Sequence, residues 1–268
     1  MSENKGLENR TPEDKPAILI TGGAARIGAA LARGLASDGW AVCIHYFRSQ
    51  SRAQALVDEI KASGGQAACV KGNLAVPQDV DNLIDRAASV IGQPLTALIN
   101  NASTFSDDRI DSFTRGSMDH HMDVNLHAPL HLSQSFAKQL PKGESGCIVN
   151  IIDQRVLKPN PLFFTYSLSK SSLYWATKTL AQSLAPSIRV NAIGPGPTLQ
   201  NTGQNEDDFS REAEATLLGE GSPPDTILDA MRYLLSAKAV TGQMIAVDGG
   251  QHLTWQTPDL LHGGGNGT

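Results

Sequence analysis

The stretch "AILITGGAARIGAALARGLASDGWAVCIHY", residues 17–46, holds a whole structural unit in thirty positions. An apolar run at 17–21 ends in a glycine-containing turn. Ile27, Leu31 and Leu35 then recur at i, i+4 and i+8, Gly39 supplies a helix stop, and a second apolar run follows at 41–46. Two continuous apolar strands joined by an amphipathic helix make a parallel pair buried on both faces.

Outward from this unit the pattern repeats. Apolar runs at 66–70, 95–100, 146–152, 188–193 and 244–248 alternate with longer helix-like segments. The expected fold is therefore a single-domain α/β, Rossmann-like, doubly wound parallel sheet of about seven strands flanked by helices. A disordered polar leader over 1–16 and a flexible glycine-rich tail over 256–268 are expected to flank one domain over 17–255, because neither end offers much to bury. The polar stretch at 200–215 breaks the alternation, and the segment 200–222 that would close over a substrate carries no readable motif.

Composition narrows the function. At 268 residues with 40% hydrophobic residues, the chain can bury one sizeable core. Its formal charge of −5 disfavours non-specific attraction to nucleic acid or an anionic membrane, so a small-molecule partner is expected. No apolar run approaches the roughly 20 residues needed to span a bilayer, and no secretory signal is read at the amino terminus, which predicts a cytoplasmic protein. Cys43, Cys69 and Cys147 are odd in number and far apart, suggesting reduced structural thiols. His120, His121 and His127 cluster without further ligands at suitable spacing, and no metal is expected.

The glycine turn itself reads as a phosphate site. Backbone N–H groups and the helix dipole after Gly22 and Gly28 point at an anion, whereas a plain strand–helix connection is the alternative. After the second strand comes "HYFRSQSR" (45–52), which contains no carboxylate to hold a ribose 2′-OH. Arg48 and Ser49, with Arg52, instead suit a 2′-phosphate and hence NADP(H); a solvated loop arginine is the bland alternative for Arg48. Further along, Tyr166 and Lys170 stand at i, i+4 on one helix face. A phenol next to a cation becomes a usable proton donor and acceptor, because positive charge favours its ionised form.

Together, the glycine turn, "NNAS" (100–103), Asn125, Tyr166-x-x-x-Lys170, "RVNAIGPGP" (189–197) and "VDGG" (247–250) resemble the short-chain dehydrogenase/reductase family in order and spacing over about residues 17–253. The resemblance implies that Tyr166 donates the proton, that Lys170 lowers its pKa and holds the nicotinamide ribose, and that Asn125 supports a relay water. It implies cofactor contacts from Gly22, Arg26, Ile27 and Gly28 in the turn, and from Tyr46, Arg48 and Ser49 after the second strand. Asn73 and Leu74 would lie near the adenine, with Asn101, Ala102 and Ser103, then Pro195, Gly196 and Thr198, completing the site. A homotetramer built on the helices of 117–138 and 163–186 is also implied.

Three departures sharpen the resemblance. Arg26 stands where the family pattern has a further glycine, "NNAS" replaces "NNAG" and is followed by Thr104 and Phe105, and Asp153 occupies the place of the usual serine, thirteen positions before Tyr166. These features are similar to those of the pteridine reductase branch, which includes dihydromonapterin- and dihydrobiopterin-type reductases. For this chain the resemblance implies pterin contacts from Arg26, Ser103, Phe105, Asp153 and Tyr166, with Asp153 joining Tyr166 and Lys170 in proton transfer. Reducing a C=N bond requires a proton at a ring nitrogen, a task a carboxyl group in a partly desolvated pocket suits. A structural role for Asp153, hydrogen-bonding nearby backbone, is the alternative. Gln154 and Arg155 follow it and are read either as ligand contacts or as solvated side chains. Rival functions are a ketone, aldehyde or non-pterin imine reductase of the same family, and a cofactor-sensing protein without catalysis. An intact Tyr166, Lys170 and Asn125 speaks against the sensor.

Overall fold

Seven strands hydrogen-bond side by side, all parallel, in the order 3-2-1-4-5-6-7. The computed structural model describes residues 15–200 and 205–255. The elements run β1 (Ala17–Ile20), α1 (Arg26–Ser37), β2 (Ala41–Tyr46), α2 (Gln50–Ala62), β3 (Gln66–Lys71), α3 (Pro77–Asp81), α4 (Leu83–Ile91) and β4 (Ala97–Asn100). They continue with α5 (Arg115–Met122), a π-turn over Asp123–His127, α6 (Ala128–Gln139), β5 (Gly146–Ile151), α7 (Phe164–Leu184), β6 (Ile188–Pro195), α8 (Glu206–Glu214), α9 (Pro224–Ser236) and β7 (Met244–Val247). Each expected strand is present, with ends displaced by one or two residues where the sheet ladder starts or stops.

Alternation along each strand divides the core in two. Ile18, Ile20, Val42 and Ile44 pack under α1, α2 and α9, with Leu31, Leu35, Leu56, Ile60, Ile227 and Met231. Ala17, Leu19, Cys43 and Leu98 face the other way, against Leu83, Ile84, Leu132 and Phe136 from α4 and α6. This two-sided burial explains why the strands read as unbroken apolar runs.

The polar stretch after β6 contains α8, none of whose residues is buried. Asn205 caps it by accepting from the Asp208 N–H at 2.7 Å. Over 206–214 the break in sequence pattern is thus a mostly polar helix, not an irregular loop. The expected tail at 256–268 lies outside the described residues, as does the leader apart from residues 15 and 16. Among the described residues no helix is long and apolar enough to cross a membrane, and no group of three or more His, Cys, Asp or Glu could hold a metal ion.

Candidate active site

The chain reverses direction of travel across the sheet between β1 and β4, the place where doubly wound folds bind ligands. A cavity of about 600 Å³ opens there, lined from the β1 turn to the head of α7. Its floor begins at Gly22, whose φ of +61° is a left-handed conformation natural to glycine. A Cβ on Gly28 would fall 2.4 Å from the Gly22 carbonyl oxygen, so the turn can close onto α1 only with hydrogen at that position.

His45 fixes this turn, a role that the sequence did not disclose. The Gly22 N–H can only donate, so His45 Nδ1 accepts it at 3.1 Å, and Nε2 therefore carries hydrogen toward the Gly72 carbonyl at 3.1 Å. Burial pushes the imidazole pKa down to about 4, in spite of the Gly72 hydrogen bond. Because the folded pKa lies below the unfolded one, the unfolded chain binds the extra proton between the two values. Stability from this group is thus present above about pH 6.5 and lost as pH falls toward 4, an effect on the order of 3 kcal/mol. Urea melts at pH 7.0 and 4.5 are expected to show that acid loss diminished in His45→Gln relative to wild type. An equal loss in both would remove His45 from the account.

β2 divides the expected residues between core and cavity. Tyr46, expected at the cofactor, belongs to the core beneath α1 and α2 and does not line the cavity, because alternation along β2 sends His45 and Tyr46 to opposite faces. Arg48 does line it, exposed and with its guanidinium 4.9 Å above the Phe47 ring. Ser49 caps no N–H of α2 with its side chain and lies outside the lining. Asn73 and Leu74 line the cavity, and the Asn73 carboxamide oxygen accepts from the Ala75 N–H at 3.1 Å.

The "NNAS" segment works largely as scaffold. Asn101 donates through Nδ2 to the carbonyls of Thr21 and Gly22 at 2.8 and 3.2 Å, tying β4 to the glycine turn. Asn100 donates to Asn150, which in turn donates to Thr177 of α7, an amide chain that sets helix against sheet. Asn125, in the π-turn, is buried behind the cavity with its side chain committed. It accepts from Ser103 Oγ at 3.1 Å and the Thr104 N–H at 2.9 Å, and donates to the Thr104 carbonyl and to Ser169 Oγ, each at 3.0 Å. Its side chain therefore positions the 103–104 loop against α7.

The head of α7 has no cap of its own, since Phe163 precedes it with φ +55°. Asp108 from the loop after β4 substitutes, accepting from the Thr165 N–H at 2.9 Å and from the Thr165 hydroxyl. Thr165 also meets His121 at 2.7 Å. Tyr166 is held one residue beyond this cluster.

At the centre, the Tyr166 hydroxyl donates to Asp153 Oδ2 at 2.8 Å. Lys170 donates to the Ile151 carbonyl at 2.9 Å, and its Nζ lies 5.8 Å from the Tyr166 ring centroid. These three expected groups do come together. Their electrostatics correct the expectation for the phenol, however: burial and the bonded Asp153 carboxylate raise the Tyr166 pKa well above the usual value, rather than Lys170 lowering it. Burial depresses the Lys170 ammonium to about 8. Asp153 is itself a turn cap, accepting from the Arg155 N–H at 2.8 Å.

Arg155 was read as either ligand contact or solvated side chain. It lines the cavity and is largely withdrawn from solvent: its Nη1 meets Asp153 Oδ2 at 3.1 Å and its guanidinium lies over Phe105 and Phe163, 5.8 and 5.2 Å from their centroids. Phe105 stacks on Phe163 with centroids 4.4 Å apart and meets the Tyr166 ring edge-on at 4.8 Å. Arg26, with φ +53° where glycine would be relaxed, spans the cavity to donate to the carbonyls of Leu199 and Gln200 at 3.0 and 2.7 Å. Ile27, Ala102, Ser103, Pro195, Gly196 and Thr198 all line the space between.

Comparison with known proteins agrees with this arrangement. The structure of FolM Alternative dihydrofolate reductase 1 from Brucella suis, in complex with NADP, superposes with a TM-score of 0.88 at 46% identity, covering 92% of this chain and 98% of that one. An uncharacterized oxidoreductase of Methylorubrum extorquens is 34% identical over 89% of this chain and 98% of its own. The 3-oxoacyl-[acyl-carrier-protein] reductase FabG of Staphylococcus epidermidis is 31% identical over 88% and 98%. A family model described as short chain dehydrogenase matches residues 16–211. With its seven-stranded parallel sheet and its tyrosine and lysine on α7, the chain belongs to the short chain dehydrogenase family.

Proposed function

We propose that the protein is an NADPH-dependent reductase of a pterin-like C=N bond, with Tyr166 giving the proton and Asp153 and Lys170 beside it. The observation that carries this reading is the 2.8 Å bond from the Tyr166 hydroxyl to a carboxylate where the family pattern has serine. A serine hydroxyl polarises a carbonyl oxygen by donating to it; an ionised carboxylate can only accept. Asp153 therefore suits a substrate that presents ring N–H groups. The similarity to an alternative dihydrofolate reductase supports the same substrate class.

The chain's residues fit NADP(H). The cradle between Gly22 and Gly28 excludes a Cβ, and α2 opens beside Arg48 with no acid in its first turn. When bound, NADPH supplies a hydride from nicotinamide C4. Arg48 would hold the 2′-phosphate, Asn73 and Leu74 would flank the adenine, and Lys170 would meet the nicotinamide ribose. Phe105 and Phe163 form one aromatic wall for a flat ring. A homotetramer in the cytoplasm goes with this reading, and Leu168 and Trp175, exposed on α7, suit a subunit contact.

A second reading, a ketone or aldehyde reductase, draws on the likeness to FabG. NADPH oxidation with dihydrobiopterin, dihydromonapterin, dihydrofolate and a panel of ketones separates the two. At least one pterin is expected to exceed every ketone by about tenfold in kcat/KM. In Phe105→Ala the pterin KM should rise about 3- to 10-fold, the loss of one stacked ring, with the NADPH Kd unchanged. Ready ketone reduction with no pterin turnover would hand the site to the second reading.

A further inference from the structure

A tyrosine and a lysine make a balanced pair. When the phenol O–H bond breaks and an N–H or O–H bond forms on the substrate, the electron pair stays on the tyrosine oxygen, and the ammonium answers its charge. This chain places a second anion, Asp153, 2.8 Å from that same oxygen. Two anions so close in a buried site repel strongly, because little solvent screens them. An acid at position 153 thus needs its own cation.

Arg155 meets the requirement. Its Nη1 reaches Oδ2, the carboxylate oxygen that also accepts from Tyr166, and its backbone N–H holds Oδ1 at 2.8 Å. The two side chains are only 20% and 12% exposed, so the pair is poorly screened. Two aromatic rings lie within 5.8 Å of the guanidinium, and its buried Nε has no hydrogen-bond partner among the described residues. Among the described residues, Lys170 and the His121 ring also face Tyr166, the latter 6.1 Å away centroid to centroid.

We infer that Arg155 is a positioning residue which acts through Asp153, and that the two form one charge-neutral unit standing where the family pattern has a single hydroxyl. Arg155 fixes the carboxylate for Tyr166 and balances it at the moment the phenol releases its proton. Consistently, the Tyr166 pKa is raised by burial and by Asp153, and Arg155 acts in the opposite sense. The inference rests on Tyr166 as proton donor but not on a pterin substrate, so any substrate that the enzyme reduces can serve to test it.

The test is a double-variant cycle read by kcat, with NADPH Kd and melting temperature as controls. Asp153→Ser leaves a buried guanidinium unpaired, and Arg155→Met leaves a buried carboxylate unpaired; each is expected to lose at least tenfold in kcat and to melt lower. The combined Asp153→Ser, Arg155→Met variant removes both charges and is expected to exceed the better single variant at least fivefold. A double variant at or below the product of the single losses would overturn the proposal. Should Asp153→Ser fail to fold, Arg155→Lys decides: keeping the charge, it should retain at least fivefold more turnover than Arg155→Met, and equal losses would overturn the idea. Tyr166→Phe serves as the control for the premise, since full turnover there would remove the donor role and not the pairing.

Discussion

Tyr166→Phe is expected to lower kcat by about 10²- to 10⁴-fold, the range a positioned general acid supplies, while the NADPH Kd stays within about twofold. The phenol is buried and donates to the Asp153 carboxylate, which favours its protonated form, because ionising it would set two anions side by side. The phenol therefore holds its proton at neutral pH. Phenylalanine preserves the ring that meets Phe105 edge-on, so the aromatic wall should survive. Stopped-flow absorbance at the NADPH band, with cofactor binding followed separately by fluorescence, distinguishes the lost proton from lost affinity. Turnover near wild type would mean that another group delivers the proton.

How far the sequence led depended on whether a residue's task is local. Strand and helix positions followed from apolar periodicity, because two-sided burial imposes it. The i, i+4 pair of Tyr166 and Lys170 was legible for the same reason: one helix face brings the two together. Asp153 was legible as a departure from a known pattern, and the structure does bring its carboxylate to the phenol.

What stayed hidden was long-range or depended on facing. His45 holds the glycine turn and Tyr46 does not, a difference that needs the direction of each side chain along β2. Asp108 caps α7 from 57 positions away, which no local spacing encodes. Phe163 adopts a positive φ, unusual for a bulky residue, and nothing in the neighbouring sequence announces it. Arg155, two residues after Asp153, did leave a local signal: a basic residue beside an acid that replaces a neutral group.

Lys170→Met should separate function from stability most sharply. Lys170 is 2% exposed, and burial lowers its pKa to about 8 although the Asp153 charge works the other way. Since the folded pKa lies below the unfolded value near 10.4, the folded state disfavours the ammonium. That cost, on the order of 3 kcal/mol, is full below pH 8 and fades as pH rises toward 10.4. Methionine is of similar length and carries no charge, so at pH 7 the variant escapes the cost but leaves the Ile151 carbonyl without the 2.9 Å donor. The net expectation is a stability equal to wild type or higher by about 1–2 kcal/mol. Turnover, in contrast, should fall at least about 100-fold, because no cation remains on that side of the phenol to balance its developing charge. In the wild type, kcat/KM for NADPH reports the ligand-free enzyme and should decline above about pH 8 as Lys170 loses its proton. The same limb should be missing from whatever activity Lys170→Met retains. Denaturant melts at pH 7 and pH–rate profiles from 6 to 10 on both proteins supply the comparison, and an alkaline limb that persists in Lys170→Met would have to belong to another group.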